Sequence, residues 1–380
     1  VTTVVPSTGV RSEGVVRTLG LGPLALESGQ VLPAASLAYE TWGELAPDAS
    51  NAVLVLHALT GDTHAAAGRV ASEAPEQTRL AASRPGWWEG LIGPGRAIDT
   101  DRCFVVCPNM LGGCDGSTGP CSPGPDGRIW GSRFPRASLR DAVAAEALLA
   151  DALGIDRWHL VVGGSLGGCR AAEWAVSFPE RVRACAVVAA GPAATAEQIA
   201  WGHAQSLAIR QDPEFRDGHY PVGAGPVRGL ELARRIAHIT YRSPTELDRR
   251  FGRRGQEGTE EDRAVHGRGR YRVESYLDHQ GRQLARRFDA NAYLGLTEAL
   301  LGHDLGRGRG GLRAALARTT CRWTVAAVDS DRLFHPEQSE LLAASLPRPV
   351  RVRRIASARG HDGFLTETQQ LGRILTETVL

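Results

Sequence analysis

Residues 158–174 read Trp-His-Leu-Val-Val-Gly-Gly-Ser-Leu-Gly-Gly-Cys-Arg-Ala-Ala-Glu-Trp. A short apolar run enters a cluster of glycines around Ser165 and leaves as an Ala-rich segment carrying Arg170 and Glu173. That order predicts strand, tight turn and helix. Within it, Gly163-Gly164-Ser165-Leu166-Gly167 fits the pattern G-x-S-x-G. A nucleophilic serine needs this spacing, because small flanking residues let strand and helix approach while the hydroxyl projects above the sheet. The following helix brings free N–H groups and partial positive charge close to a developing oxyanion. The bland reading of the same residues is a Gly-rich turn whose serine caps the helix.

Further apolar runs at 52–56, 103–107, 159–162, 184–189 and 323–328 are short, Val-rich and bounded by turn residues. Such runs read as strands buried on both faces of a parallel sheet. Helical patterns lie between them, over 138–153 with Ser138 as its cap and over 166–178 stopping before Pro179. The expected class is α/β with a mostly parallel central sheet. The rhythm breaks after Gly191-Pro192. From there to Gly311 the chain shows no strand pattern but carries Arg-rich helical stretches over 229–242 and 271–288. The expected organisation is a first core part at 1–192, an inserted helical lid at 193–311 and a second core part at 312–380, with a last edge strand at 350–355 and a terminal helix after Phe364.

Composition removes several chemistries. The 380 residues contain no lysine, so all 44 basic residues are arginine. Schiff-base catalysis, a pyridoxal-phosphate anchor and phosphate-binding P-loop or kinase lysines are thereby excluded. Arginine holds its proton too tightly for base catalysis, which leaves His, Asp, Glu, Cys or Tyr for proton transfer. A formal charge of +2 gives no reason to expect nucleic acid or an acidic membrane as partner. Seven scattered cysteines suit a reducing cytoplasm better than a disulfide framework. Residues 1–10 have neither a basic start nor a long apolar stretch, so no secretory leader is expected, and no apolar run approaches a membrane span. Cys103, Cys107, Cys114 and Cys121 lack paired zinc spacing, so no metal is expected. Gly306-Arg-Gly-Arg-Gly-Gly311 fits G-x-G-x-x-G but follows no strand, and reads as a linker rather than a dinucleotide site.

A serine nucleophile calls for an acid and a histidine in the α/β-hydrolase chain order Ser, Asp or Glu, His. Asp329 and Asp331 both follow the predicted strand at 323–328, and spacing alone leaves the choice between them open. The one not used is expected to cap the turn. His361 follows in Gly360-His361-Asp362-Gly363-Phe364, a loop before the final helix that can reach over the strand ends. The other histidines are placed less well: His57 and His64 flank a loop, His159 lies in a strand, and His203, His238 and His303 fall on lid helices or their ends. The backbone N–H of Leu166 is one expected oxyanion donor. Leu59, in the loop His57-Ala58-Leu59-Thr60-Gly61-Asp62 after an early strand, is the other.

Together with these motifs stand Gly86-Trp87-Trp88, Asn109-Met110-Leu111-Gly112-Gly113, Gly116-Ser117-Thr118-Gly119-Pro120, Val273-Glu274-Ser275-Tyr276-Leu277 and Arg287-Phe288-Asp289-Ala290-Asn291. In this order, and with Asp331-Arg332-Leu333-Phe334 after them, the chain resembles the homoserine O-acetyltransferase family over nearly its whole length. The resemblance implies an α/β-hydrolase fold and a two-step transfer from acetyl-CoA, a co-substrate and not a bound cofactor, to L-homoserine. It implies Ser165 as nucleophile, His361 as base and Asp331 as the carboxylate behind it. It further implies Arg234 for the substrate carboxylate, Asp362 for its ammonium, Tyr241 in the same pocket, and a homodimer. Leu166, Gly363 and Cys121-Ser-Pro-Gly-Pro125 depart from the commoner residues of the family. Succinyl transfer, serine as acceptor, ester hydrolysis and an inactive binding module are the competing readings. A lid that excludes water favours transfer over hydrolysis.

Overall fold

Hydrogen bonding between β3 (Ala52–Leu56) and β5 (Leu160–Gly164) sets the centre of the sheet, with Val53 opposite Leu160 and Leu56 opposite Gly163. The computed structural model describes residues 12–255 and 269–380, so the leader expectation for residues 1–10 lies outside it. Outward from that pair stand β4 (Phe104–Pro108) on one side and β6 (Ala184–Val188), β7 (Arg322–Val328) and β8 (Arg353–Ile355) on the other, all parallel. Two antiparallel strands, β1 (Arg17–Ala25) and β2 (Val31–Trp42), complete the order β1-β2-β4-β3-β5-β6-β7-β8. These two strands lay outside the sequence reading. Gly20, Gly22, Pro23 and Pro33 interrupt their pattern, and β1 shifts register at Gly20/Gly22 and again before Leu24, so neither shows clean alternation. The edge strand is shorter than the expected 350–355, and only Arg353–Ile355 pair with β7.

Side chains of the central strands leave the sheet alternately, as the two-residue strand period requires. Leu54, Leu56, Val161 and Val187 enter one core with residues of the helices Leu139–Ala152 and Leu166–Ser177. Val53, Val55, Leu160, Val162 and Val188 enter the other, against Leu371, Ile374 and Leu375 of the terminal helix Thr368–Thr378. Ser138 caps its helix as expected, with the Ser138 and Asp141 side chains satisfying N–H groups reciprocally.

Between β6 and β7 the described residues form the helices Ala196–Arg210, Val227–Tyr241, Pro244–Arg250, Arg272–Ala285 and Ala290–Leu301 and no ladder strand. The ends of this stretch meet. Leu305 N–H donates to Pro192 O at 3.0 Å and Ala194 N–H to His303 O at 3.1 Å. Beyond this neck the glycine-arginine loop folds onto the core. Arg307 pairs with Glu27 at 2.9 Å, holding that carboxyl down to about 2, and Arg309 reaches Glu173 and Ser177 Oγ.

Arg170 on the helix after Ser165 is fully buried, and its Nε donates to Glu146 Oε1 at 3.0 Å. Glu146 Oε2 accepts Trp174 Nε1–H at 2.7 Å. Removing one partner of a buried pair leaves the other charge uncompensated. Glu146→Ala is therefore expected to lower the unfolding free energy by about 3–5 kcal/mol, read as a fall in the urea midpoint. A loss under about 1 kcal/mol would show that the guanidinium finds water or another partner.

Candidate active site

Ser165 stands between the end of β5 and the helix Leu166–Ser177 with φ 57° and ψ −127°, a conformation that costs a non-glycine residue about 1–3 kcal/mol. The turn survives because its neighbours leave no alternative. A methyl group at Gly163 would overlap the Gly167 backbone, and one at Gly167 would overlap the Leu56 carbonyl. The Ser165 N–H is held by Val188 O of β6 at 3.0 Å. With strand and helix pressed together, the hydroxyl has one way out, above the sheet.

There it meets His361. The loop after β8 carries this residue in a short turn, Gly360–Asp362. His361 Nε2 lies 2.8 Å from Ser165 Oγ and Nδ1 lies 2.7 Å from Asp331 Oδ2. All three residues are at most 5% exposed. The ring is stacked on Phe334, with Phe364 and Tyr241 at its edges. Burial resists charging the imidazole, but the charge and hydrogen bond of Asp331, aided by Asp362, outweigh it and raise the His361 pKa above 6.5.

The choice between the two aspartates follows from geometry. Asp331 Oδ1 accepts the N–H groups of Leu333 and Phe334 at 2.8 and 2.9 Å, which leaves Oδ2 for the imidazole. Asp329, expected to cap this turn, instead accepts the Ser357 N–H at 3.0 Å and ties the histidine loop to β7. Asp331 performs the capping itself.

Leu166 opens the elbow helix, whose first N–H groups have no intrahelical acceptor. Leu59 is buried three residues beyond β3. The two backbones are brought together by the approach of Gly167 to the Leu56 and His57 carbonyls. Thr60 beside Leu59 joins this loop to the helices. Its hydroxyl accepts from Arg234 Nη1 at 3.2 Å and its carbonyl from Arg287 Nη2 at 2.8 Å.

Arg234 and Tyr241 share the helix Val227–Tyr241, with the guanidinium 5.3 Å from the phenol ring. Arg234 Nε is buried without a partner among the described residues, an arrangement that costs free energy until an acceptor arrives. Asp362, next to His361, has its pKa pushed up by burial and is paired through Oδ2 with Arg242 Nη2 at 3.1 Å. Arg242 was not singled out from sequence, although its place just past the Val227–Tyr241 helix was a usable signal. Arg242 also contacts Glu246 and the Tyr276 hydroxyl, which lies 3.0 Å from His238 Nδ1. The shared sequence motifs also have mechanical parts: Ser117 Oγ donates to Asn109 O and accepts the Ala38 N–H, lashing two motif loops to β2. No cluster of three or more His, Cys, Asp or Glu suited to a metal occurs among the described residues.

The profile of the alpha/beta hydrolase fold matches residues 51–368. A homoserine O-acetyltransferase of Thermobifida fusca is 56% identical over 93% of this chain and 91% of its own. Among solved structures, a homoserine O-acetyltransferase from Bacillus anthracis superposes with a TM-score of 0.85 at 25% identity, covering 96% of this chain and 97% of that one. An acetylester hydrolase from Corynebacterium glutamicum superposes at 0.80 with 25% identity, covering 96% and 95%. Sequence likeness along almost the entire length, on a sheet of this order with a serine elbow at its centre, means that the chain belongs to the homoserine O-acetyltransferase family of the α/β-hydrolase fold.

Proposed function

We propose that this protein transfers an acetyl group from acetyl-CoA to the side-chain hydroxyl of L-homoserine through an acetyl-Ser165 intermediate, giving O-acetyl-L-homoserine for methionine synthesis. The carrying observation is the unbroken chain from Asp331 through His361 to Ser165, at 2.7 and 2.8 Å. His361 Nε2 takes the Ser165 proton as Oγ attacks the thioester carbonyl. The N–H groups of Leu59 and Leu166 hold the oxyanion. Collapse expels the CoA thiolate, which takes the proton from His361. In the second half, His361 removes the homoserine hydroxyl proton, the alkoxide attacks the acetyl-serine, and Ser165 recovers its proton as product leaves. Asp331 fixes the tautomer and balances the imidazolium.

An amino acid brings one charge of each sign. Arg234, with a buried donor free, suits the carboxylate, and Asp362 suits the ammonium, with Tyr241 between Arg234 and His361. The helical segment 193–311 acts as the lid. Excluding water from the acyl-serine slows its hydrolysis. Exposed Leu232 and Ile239 on the lid support pairing of two copies, and seven free cysteines suit the cytoplasm.

Thiol release from acetyl-CoA is expected with homoserine and to be near background with serine or water, with succinyl-CoA a poor donor. Release independent of any amino acid would make the protein a hydrolase, and preference for serine or succinyl-CoA would replace acceptor or donor. Ser165→Ala should give neither turnover nor a trapped acetyl adduct by mass spectrometry. Arg234→Gln is expected to raise the homoserine KM roughly 10- to 100-fold, the worth of a charge-assisted pair of about 1.5–3 kcal/mol, with acetylation of Ser165 unaffected. Equal loss in both half-reactions would remove Arg234 from acceptor binding. Because the His361 pKa is raised, its base form grows in only above 6.5. kcat/KM should therefore rise with pH through an inflection above that value, and a midpoint well below it would mean that Asp331 does not stabilise the imidazolium.

A further inference from the structure

The peptide bond between Ala58 and Leu59 is clamped on its carbonyl side by a residue that the two half-reactions do not use. His57 is completely buried immediately after β3. Its Nε2 accepts the Met110 N–H at 3.0 Å, with the Asn109 side-chain nitrogen 3.4 Å away. A ring nitrogen that accepts has no hydrogen of its own, so in the neutral ring the proton sits on Nδ1. Nδ1 therefore donates to Ala58 O at 2.7 Å. The Gly61 N–H donates to the same oxygen at 2.9 Å, so both of its lone pairs are engaged.

No peptide bond among the described residues is cis. In a planar trans peptide the N–H points away from the C=O, so holding Ala58 O fixes the direction of the Leu59 N–H. The other end of the clamp is rigid. Asn109 N–H is bonded to Ala38 O of β2 at 2.8 Å, and its own carbonyl accepts Ser117 Oγ–H at 2.7 Å. Burial, with the charges of Arg170 and Arg287 adding to it, pulls the His57 pKa down to about 3, so the ring stays neutral and its tautomer persists across the working range of His361.

We propose that His57 is a positioning residue for acyl transfer: by joining the Asn109–Met110 loop to Ala58 O, it sets the plane of the Ala58–Leu59 peptide and so aims the Leu59 N–H at the oxyanion. It touches no substrate and moves no proton. The proposal rests on the acyl-serine reading above. The oxyanion forms in both half-reactions, so loss of aim slows both, while groups that bind homoserine and CoA are untouched.

The test uses p-nitrophenyl acetate as acyl donor, so that it depends on neither CoA nor homoserine. The burst of p-nitrophenolate counts competent sites, and its rate constant reports acylation per site. In His57→Ala the rate per titrated site is expected to fall about 10- to 100-fold, short of the 10²–10³ for complete loss of one oxyanion donor. KM should change by less than about threefold, and the midpoint of the acid limb, set by His361, should stay in place. His57→Asn retains an N–H near the position of Nδ1 and should recover most of the rate. A merely structural role would lower the number of competent sites and leave the rate at each unchanged. Equal rates per site in wild type and His57→Ala, or loss of the folded protein in both variants, overturns the proposal. Failure of the wild-type chain to carry an acetyl group on Ser165, read by mass spectrometry after quenching its reaction with p-nitrophenyl acetate while p-nitrophenolate is being released, would instead sink the acyl-serine reading beneath it.

Discussion

The approach of the Leu166–Ser177 helix to the end of β3, at Gly167 against the Leu56 carbonyl, constrains everything around Ser165. It leaves no volume for a side chain, so the turn between β5 and the helix is held in a strained backbone state rather than relaxed into a wider loop. The same approach sets the start of the elbow helix, at Leu166, against the chain leaving β3 toward Leu59. Arg170, Glu146 and Trp174 hold the helix from behind through a buried ion pair and an indole N–H. The sheet contributes Val188 O to the serine N–H. Ser165 and the Leu59 and Leu166 backbones are thus set by main-chain packing, whereas His361 and Asp331 are carried on loops.

Those loops are in turn fixed to the helical segment. A methyl group at Gly360 would strike the Tyr241 carbonyl and the Ser243 N–H, and the Ser243 hydroxyl donates to Ala358 O. Arg242, between these residues, holds the carboxylate of Asp362. The end of the Val227–Tyr241 helix is therefore packed directly on the loop that carries His361, while Arg234 on the same helix reaches Thr60. One helix touches both the His361 loop and the loop after β3. Its contacts thus join Arg234, Tyr241, the loop of His361 and the loop of Leu59 into one packed unit.

Much of this was legible in the sequence because it is local. The elbow, the buried parallel strands and the Ser138 cap are written in contiguous residues whose type and spacing have direct steric meaning. That Ser165 is followed by an aspartate after the strand at 323–328 and then by His361 was legible because chain order constrains which loops reach the strand ends, whereas Asp331 rather than Asp329 came from family likeness. The antiparallel pair Arg17–Ala25 and Val31–Trp42 was not, since its glycines and prolines erase the alternation that a sheet edge normally shows. The partners of Asp329, Asp362 and His57 were equally hidden: each is a contact between segments far apart in sequence, decided by packing rather than by neighbours. Arg234 and Asp362 had to be read from family likeness, as nothing local separates Arg234 from Arg235, which pairs with Glu231 and Asp278 on the helix surface.

The neck at Pro192–Ala194 and His303–Leu305 also bears on how the chain reaches its native topology. β6 and β7 are adjacent in the sheet, with Val188 opposite Ala326, yet the whole helical segment separates them in sequence. Bringing distant strands together carries a loop-closure entropy cost and slows folding. With the two ends of the segment tied at the neck, the strands that flank it lie side by side as if joined by a short connection. In the folded chain this neck therefore does the work of a short connection between β6 and β7, and the two strands beyond it take their places in the sheet without regard to the length of the helical segment.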